Sequence, residues 1–210
     1  MQDILYRDFI ENCQSGDLLL YSSRSWYSYF IEVLGWSKYS HVSMIIKDPI
    51  WIDDKLTGLY IFESGGENTN DVIKNKNIFG VQLIKLEDGL KEYMNKSNGY
   101  VYYVKNNFER TENFYDKLKQ IILNNDGKPY DLHLIDWIGA RFNVKIIKRE
   151  DIRFFCSALI AYTFTQIKFL SEDTNWTIIS PKEYSYYEKY RLNFVNCNLE
   201  PEKIIIFNKV

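Results

Sequence analysis

Tyr39-Ser40-His41-Val42-Ser43-Met44-Ile45-Ile46 is the stretch on which the fold turns. Its β-branched and apolar richness reads as a strand, and Leu59-Tyr60-Ile61-Phe62-Glu63, across a polar connection, reads as its neighbour. Adjacent strands would bring His41 and Glu63 close together. Working outward, Leu18 to Tyr21 forms a buried strand after the turn Ser15-Gly16-Asp17, and Val81 to Ile84 and Tyr100 to Val104 supply two more. Lys203 to Asn208 closes the chain with the apolar run Ile204-Ile205-Ile206-Phe207. Helices are expected over Ile4 to Asn12, Trp26 to Gly35, Leu86 to Met94, Glu112 to Leu123 and Cys156 to Lys168, with a last helical turn from Ser180-Pro181 through Tyr187. The expectation is an α+β fold, with a central, mostly antiparallel sheet packed on helices. No repeat or linker divides the sequence, so residues 1–210 read as a single domain.

Composition narrows the function. Lys+Arg total 26 against Asp+Glu 28, a formal charge of -2, so the basic footprint of a nucleic-acid binder is missing. No window approaches the ~18 consecutive apolar residues that span a bilayer, and the early acidic residues Asp3 and Asp8 do not suit a cleaved leader. Cys13, Cys156 and Cys197 are too few and too scattered for a disulfide framework, which points to a reducing, cytoplasmic setting. With only His41 and His133 beside them, zinc-type spacing is absent, and neither a metal nor another cofactor is expected.

One cysteine has a placement with chemical meaning. Leu159, Ile160, Phe164 and Ile167 fall three and four apart, and Cys156 opens that same stripe at the start of its helix. Free backbone N–H groups and aligned peptide dipoles there favour a thiolate. A nucleophile needs a base, and the base needs a group to orient it, which makes His41 and Glu63 the candidates from the sheet. Each residue alone fits ordinary packing or capping; only the combination favours catalysis. Ser64 and Glu67 are neighbours that compete with Glu63, and His133 is a second base that no motif supports.

The ordered set Ser15-Gly16-Asp17-Leu18-Leu19-Leu20-Tyr21, Ser37-Lys38-Tyr39-Ser40-His41-Val42-Ser43-Met44-Ile45, Gly127-Lys128-Pro129-Tyr130-Asp131 and Phe155-Cys156-Ser157-Ala158-Leu159-Ile160 carries a resemblance. It is similar to the permuted NlpC/P60 superfamily of papain-like enzymes, near the YiiX/YaeF-type amidase group and its large-DNA-virus relatives. Ser180-Pro181-Lys182-Glu183-Tyr184 resembles the family's segment after the cysteine helix, so the motif-bearing core spans about residues 15–185. The resemblance implies a circularly permuted papain-like fold with the base before the nucleophile, which places the base on His41 and the nucleophile on Cys156. A polar residue of variable identity follows on the next strand, matched by Glu63.

These expectations describe a thiol hydrolase, amidase or acyltransferase working through an acyl-thioester on a peptide-type amide or a lipid ester or amide. The backbone N–H of Cys156 is the first oxyanion donor, and Tyr21, Tyr39 and Tyr130 are candidate hydroxyl donors. Asp17 and Asp131 shape turns, and Cys13 and Cys197 are passive. The aromatic segment Trp26, Tyr27, Tyr29, Phe30, Trp36 reads as core, with an acyl-groove wall or a peripheral membrane contact as its functional alternatives. The rival to catalysis is a binding or virus–host interaction protein that keeps the fold without turnover.

Overall fold

The computed structural model describes residues 1–22, 38–66, 68–96, 99–130 and 155–207. In chain order these form β1 (Gln2–Leu5), α1 (Tyr6–Asn12), β2 (Leu18–Ser22), β3 (His41–Lys47), β4 (Leu59–Gly65), the short pair β5 (Asn70–Asp71) and β6 (Lys76–Asn77), β7 (Gly80–Lys85) and α2 (Leu86–Lys96). Then follow β8 (Tyr100–Val104), β9 (Asn106–Asn107), α3 (Glu112–Asn125), α4 (Cys156–Gln166), β10 (Asn198–Leu199) and β11 (Lys203–Ile206).

Seven strands make the central sheet, in the order β1-β11-β8-β2-β3-β4-β7. All its ladders are antiparallel except β1–β11. Period-two alternation sorts the apolar side chains onto two faces. Leu18, Leu20, Val42, Met44, Ile46 and Phe62 pack with α3 and α4 on one side. Leu19, Ile45, Ile61 and Ile84 pack with Phe9 of α1 and Leu86 and Leu90 of α2 on the other. The result is a mixed α+β architecture with helices on both faces of the sheet.

The structure corrects some of the expected boundaries. The first helix begins at Tyr6, because Gln2–Leu5 pair in parallel with Lys203–Ile206, and an available ladder overrides the local helical period. The turn after Ser180 is a 3-10 helix over Pro181–Tyr184 only, with Glu183 Oε2 accepting from the Ser180 N–H at 2.9 Å. α4 stops at Gln166, and its buried face reaches well beyond a stripe: Thr163 and Thr165 are also buried, their hydroxyls donating to the carbonyls of Leu159 and Ala161. A helix apolar nearly all round belongs in the core. The helix read over Trp26 to Gly35, with the rest of that aromatic segment, lies outside the described residues.

Candidate active site

The site begins with a break in the sheet. Ile45 N–H donates to the Asp17 carbonyl at 2.8 Å, so the odd-numbered residues of β3 bond back toward β2 and the even-numbered N–H groups face β4. The β3–β4 ladder runs from Lys47–Leu59 only as far as Met44–Phe62. β4 continues alone beyond that point, paired with β7 out to Gly65–Gly80. A notch therefore opens between His41–Ser43 and Glu63–Gly65, and the N–H of Val42 points into it.

His41 and Glu63 meet across this notch, His41 Nε2 lying 2.7 Å from Glu63 Oε2. The Glu63 side chain is 2% exposed and that of His41 is 21% exposed, so the carboxylate is sealed while the imidazole still reaches solvent. The other oxygen of Glu63 accepts from Gln82 Nε2 at 3.1 Å, Gln82 being its cross-strand partner on β7. The His41 ring packs on Tyr21, its partner on β2, with centroids 5.1 Å apart. Nε2 is thus committed to the carboxylate as donor, which leaves Nδ1 for a second partner.

That partner is Cys156, buried at the first residue of α4. Phe155 caps the helix in an extended conformation with no side-chain hydrogen bond, so the first-turn N–H groups remain available. Burial by itself would raise the thiol. The charge and hydrogen bond of His41, together with the N–H groups of Val42 and Ser157, outweigh it and hold the thiol below its ordinary value. Burial likewise works against the imidazolium of His41, yet the charges of Cys156 and Glu63 hold it well above the usual histidine range. Both shifts favour the same charge-separated pair. Cys156 belongs to the α4 face of the sheet, whereas the neighbours of His41 lie on the α2 face, so the two meet only because the ladder is broken between them.

The other candidates occupy defined places. The Tyr21 hydroxyl lies 2.8 Å from Ser43 Oγ, and the Tyr39 hydroxyl donates to Glu202. The Tyr130 ring packs on Phe79, with its N–H donating to the Phe79 carbonyl. Asp17 is more than a turn residue: buried, it accepts from Gln14 N, Asn106 N and the Tyr103 hydroxyl and pairs with Arg110 at 2.8 Å. Cys13 and Cys197 are free, and burial pushes both thiols up to about 12. Glu67, Asp131 and His133 lie outside the described residues. Gln82 and the Val42 N–H escaped the sequence reading. A glutamine in an alternating strand carries no motif, and the direction of a backbone N–H depends on ladder parity.

No family model and no curated protein matches the chain. Among solved structures it is similar to the metalloprotein YiiX from Escherichia coli O157:H7 (DUF1105), at 18% identity and a TM-score of 0.50, over 90% of this chain and 97% of that one. The likeness is one of fold. Among the described residues, no group of three or more His, Cys, Asp or Glu is placed to hold a metal ion. At the notch, with His41 Nε2 and the Glu63 oxygens taken up by each other and by Gln82, His41 Nδ1 and the Cys156 sulfur are two donors, fewer than the three or four protein ligands of a zinc site. No helix among the described residues is long and apolar enough to cross a membrane.

Proposed function

We propose that the chain is a single-domain, permuted papain-like cysteine hydrolase or acyltransferase of NlpC/P60 type. The observation that carries this reading is the chain of contacts from buried Glu63 through His41 to the lowered thiol of Cys156. The Cys156 thiolate attacks the carbonyl carbon of an amide or ester, and the carbonyl electrons pass to oxygen. Cys156 N–H at the helix start and Val42 N–H, which bonds the sulfur, are the donors proposed for that oxyanion, with Tyr21 and Tyr39 acting as scaffold and Tyr130→Phe testing any hydroxyl contribution. When the intermediate collapses, the His41 Nδ1 proton goes to the leaving amine or alcohol, leaving an acyl-thioester on Cys156. His41 then takes a proton from water or an acceptor nucleophile, whose attack frees the acyl group and returns the Cys156 thiolate beside a protonated His41. Glu63 holds His41 in the tautomer these transfers require. The substrate class is a peptide-type amide or a lipid ester or amide, in a reducing compartment that suits three free cysteines.

Trapping tests it. A p-nitrophenyl acyl ester should leave one hydroxylamine-labile acyl group on Cys156, located by peptide mass spectrometry. His41→Ala should slow its formation by about 10²–10⁴-fold. An unmodified Cys156 across ester, amide and lipid probes would transfer the chain to the binding-protein reading.

A further inference from the structure

A further buried carboxylate lies outside the notch. Glu202, just before β11, is 1% exposed. Its Oε1 accepts from the hydroxyls of Tyr39 and Ser185, each at 2.5 Å, and its Oε2 from the Tyr186 N–H at 3.1 Å. A carboxylate is costly to bury unless its oxygens are met by donors, and here the donors come from two segments far apart in the chain. One arm leads to the base. Tyr39 is two residues before His41, and the intervening Ser40 donates both its N–H and its hydroxyl to the Tyr21 carbonyl, at 2.8 and 3.2 Å. The Lys38 ammonium lies over the rings of Tyr39 and Tyr102, covering this arm. The other arm leads to the nucleophile. Ser185 follows Tyr184, whose buried hydroxyl donates to the Ser157 carbonyl at 2.8 Å, while the Ser157 hydroxyl donates to the Ile179 carbonyl at 2.7 Å. Those bonds clamp the first turn of α4 to the chain that follows it.

We propose that Glu202 is a positioning residue that fixes the His41-bearing start of β3 against the Cys156-bearing start of α4, setting the imidazole–sulfur geometry from the C-terminal end of the chain. It touches neither reacting atom and acts through Tyr39 on one side and through Ser185 and Tyr184 on the other. The proposal rests on the reading of Cys156 and His41 as nucleophile and base.

Iodoacetamide alkylation provides the test, because S–C bond formation with loss of iodide passes through no oxyanion. Its pH midpoint at Cys156 therefore reports on the thiolate–imidazole pair alone. Tyr39→Phe and Ser185→Ala each remove one hydroxyl and one arm, and Glu202→Gln keeps the side-chain shape while weakening both; circular dichroism verifies each fold. Each substitution should move the Cys156 midpoint upward and slow alkylation near pH 6 several-fold. Tyr39→Phe with Ser185→Ala should be no slower than the worse single variant, since both act through one carboxylate. In a His41→Ala background the shifts should vanish. Folded variants with wild-type midpoints, or two shifts that simply add, would overturn the proposal while leaving the nucleophile assignment intact. A wild-type Cys156 with no low-pH reactivity would bring down both.

Discussion

His41 has two ring nitrogens with two different obligations, and the residue-scale chemistry follows from that division. Glu63 Oε2 takes Nε2 at 2.7 Å, so the ring offers Nδ1 to the sulfur. Glu63→Gln keeps the shape but can present an amide N–H to the ring, favouring the wrong tautomer; acylation of Cys156 should fall by roughly 10²-fold or more in single-turnover assays. Gln82→Leu leaves one buried oxygen of Glu63 without its donor and should cost about 1–3 kcal/mol in denaturant unfolding. The pH dependence has a definite sign. The thiol is lowered and the imidazolium raised, so the reactive pair builds as pH rises through the depressed Cys156 value and is lost once His41 gives up its proton. Acylation should therefore be bell-shaped, with its acidic limb below the range of an ordinary thiol. At this scale the sequence was informative: a helix-start cysteine, a strand histidine and a carboxylate one strand away are legible from spacing. Gln82 and Glu202 were not, because a buried amide or carboxylate declares its partner only once strands are in register.

At the scale of elements, the broken β3–β4 ladder and the edge of β7 position the site. Beyond α3 the chain returns to β7: Gly127 N–H donates to the Val81 carbonyl, Val81 N–H to the Lys128 carbonyl, and Gly80 bridges Pro129. Gly80 has φ 153°, and a Cβ there would fall on the Lys128 carbonyl. Gly80→Ala should therefore part this extension from the sheet, lowering stability by about 1–3 kcal/mol and raising hydrogen exchange at Val81 and Gly127. The same joint contains Asp126, whose carboxyl is raised to about 6, first by burial and then by the charge of Asp71, with Lys74 at 3.2 Å opposing. Because the folded value exceeds the unfolded one, its contribution to stability is fully present below about pH 4 and lost as pH rises through about 6. Asp126→Asn should flatten the change in Tm between pH 4 and pH 7. The two-residue strands β5, β6, β9 and β10 have no sequence signal, while six of the seven central strands were legible from apolar and β-branched richness. β1 was not, because Gln2–Leu5 depends on a partner at the opposite end of the chain.

Among the described residues, helices cover both faces of the sheet, and the site draws Cys156 from one side and His41 and Glu63 from the other. Chain ends close the structure: β1 and β11 pair at the edge, and β11 joins β8 beside β2. Asp17 anchors this half, fully buried and tied to Tyr103, Asn106 and Arg110. Arg110→Ala would remove one of the four partners of that carboxylate and should cost about 1–3 kcal/mol, read by urea unfolding. The sequence reading gave Asp17 only a turn, since an ion pair to Arg110 across β8 and β9 has no local signature.

The central claim is a poised thiolate–imidazolium pair at Cys156, and its most direct measurement is the pH profile of iodoacetamide alkylation at each cysteine, in the native protein and in His41→Ala. Cys13 and Cys197, whose thiols burial pushes up to about 12, serve as internal controls. The account predicts selective labelling of Cys156 well below the pH at which an ordinary thiol reacts, with that acidic reactivity lost in His41→Ala. Labelling of Cys156 no faster than the controls, or indifferent to His41, would contradict it.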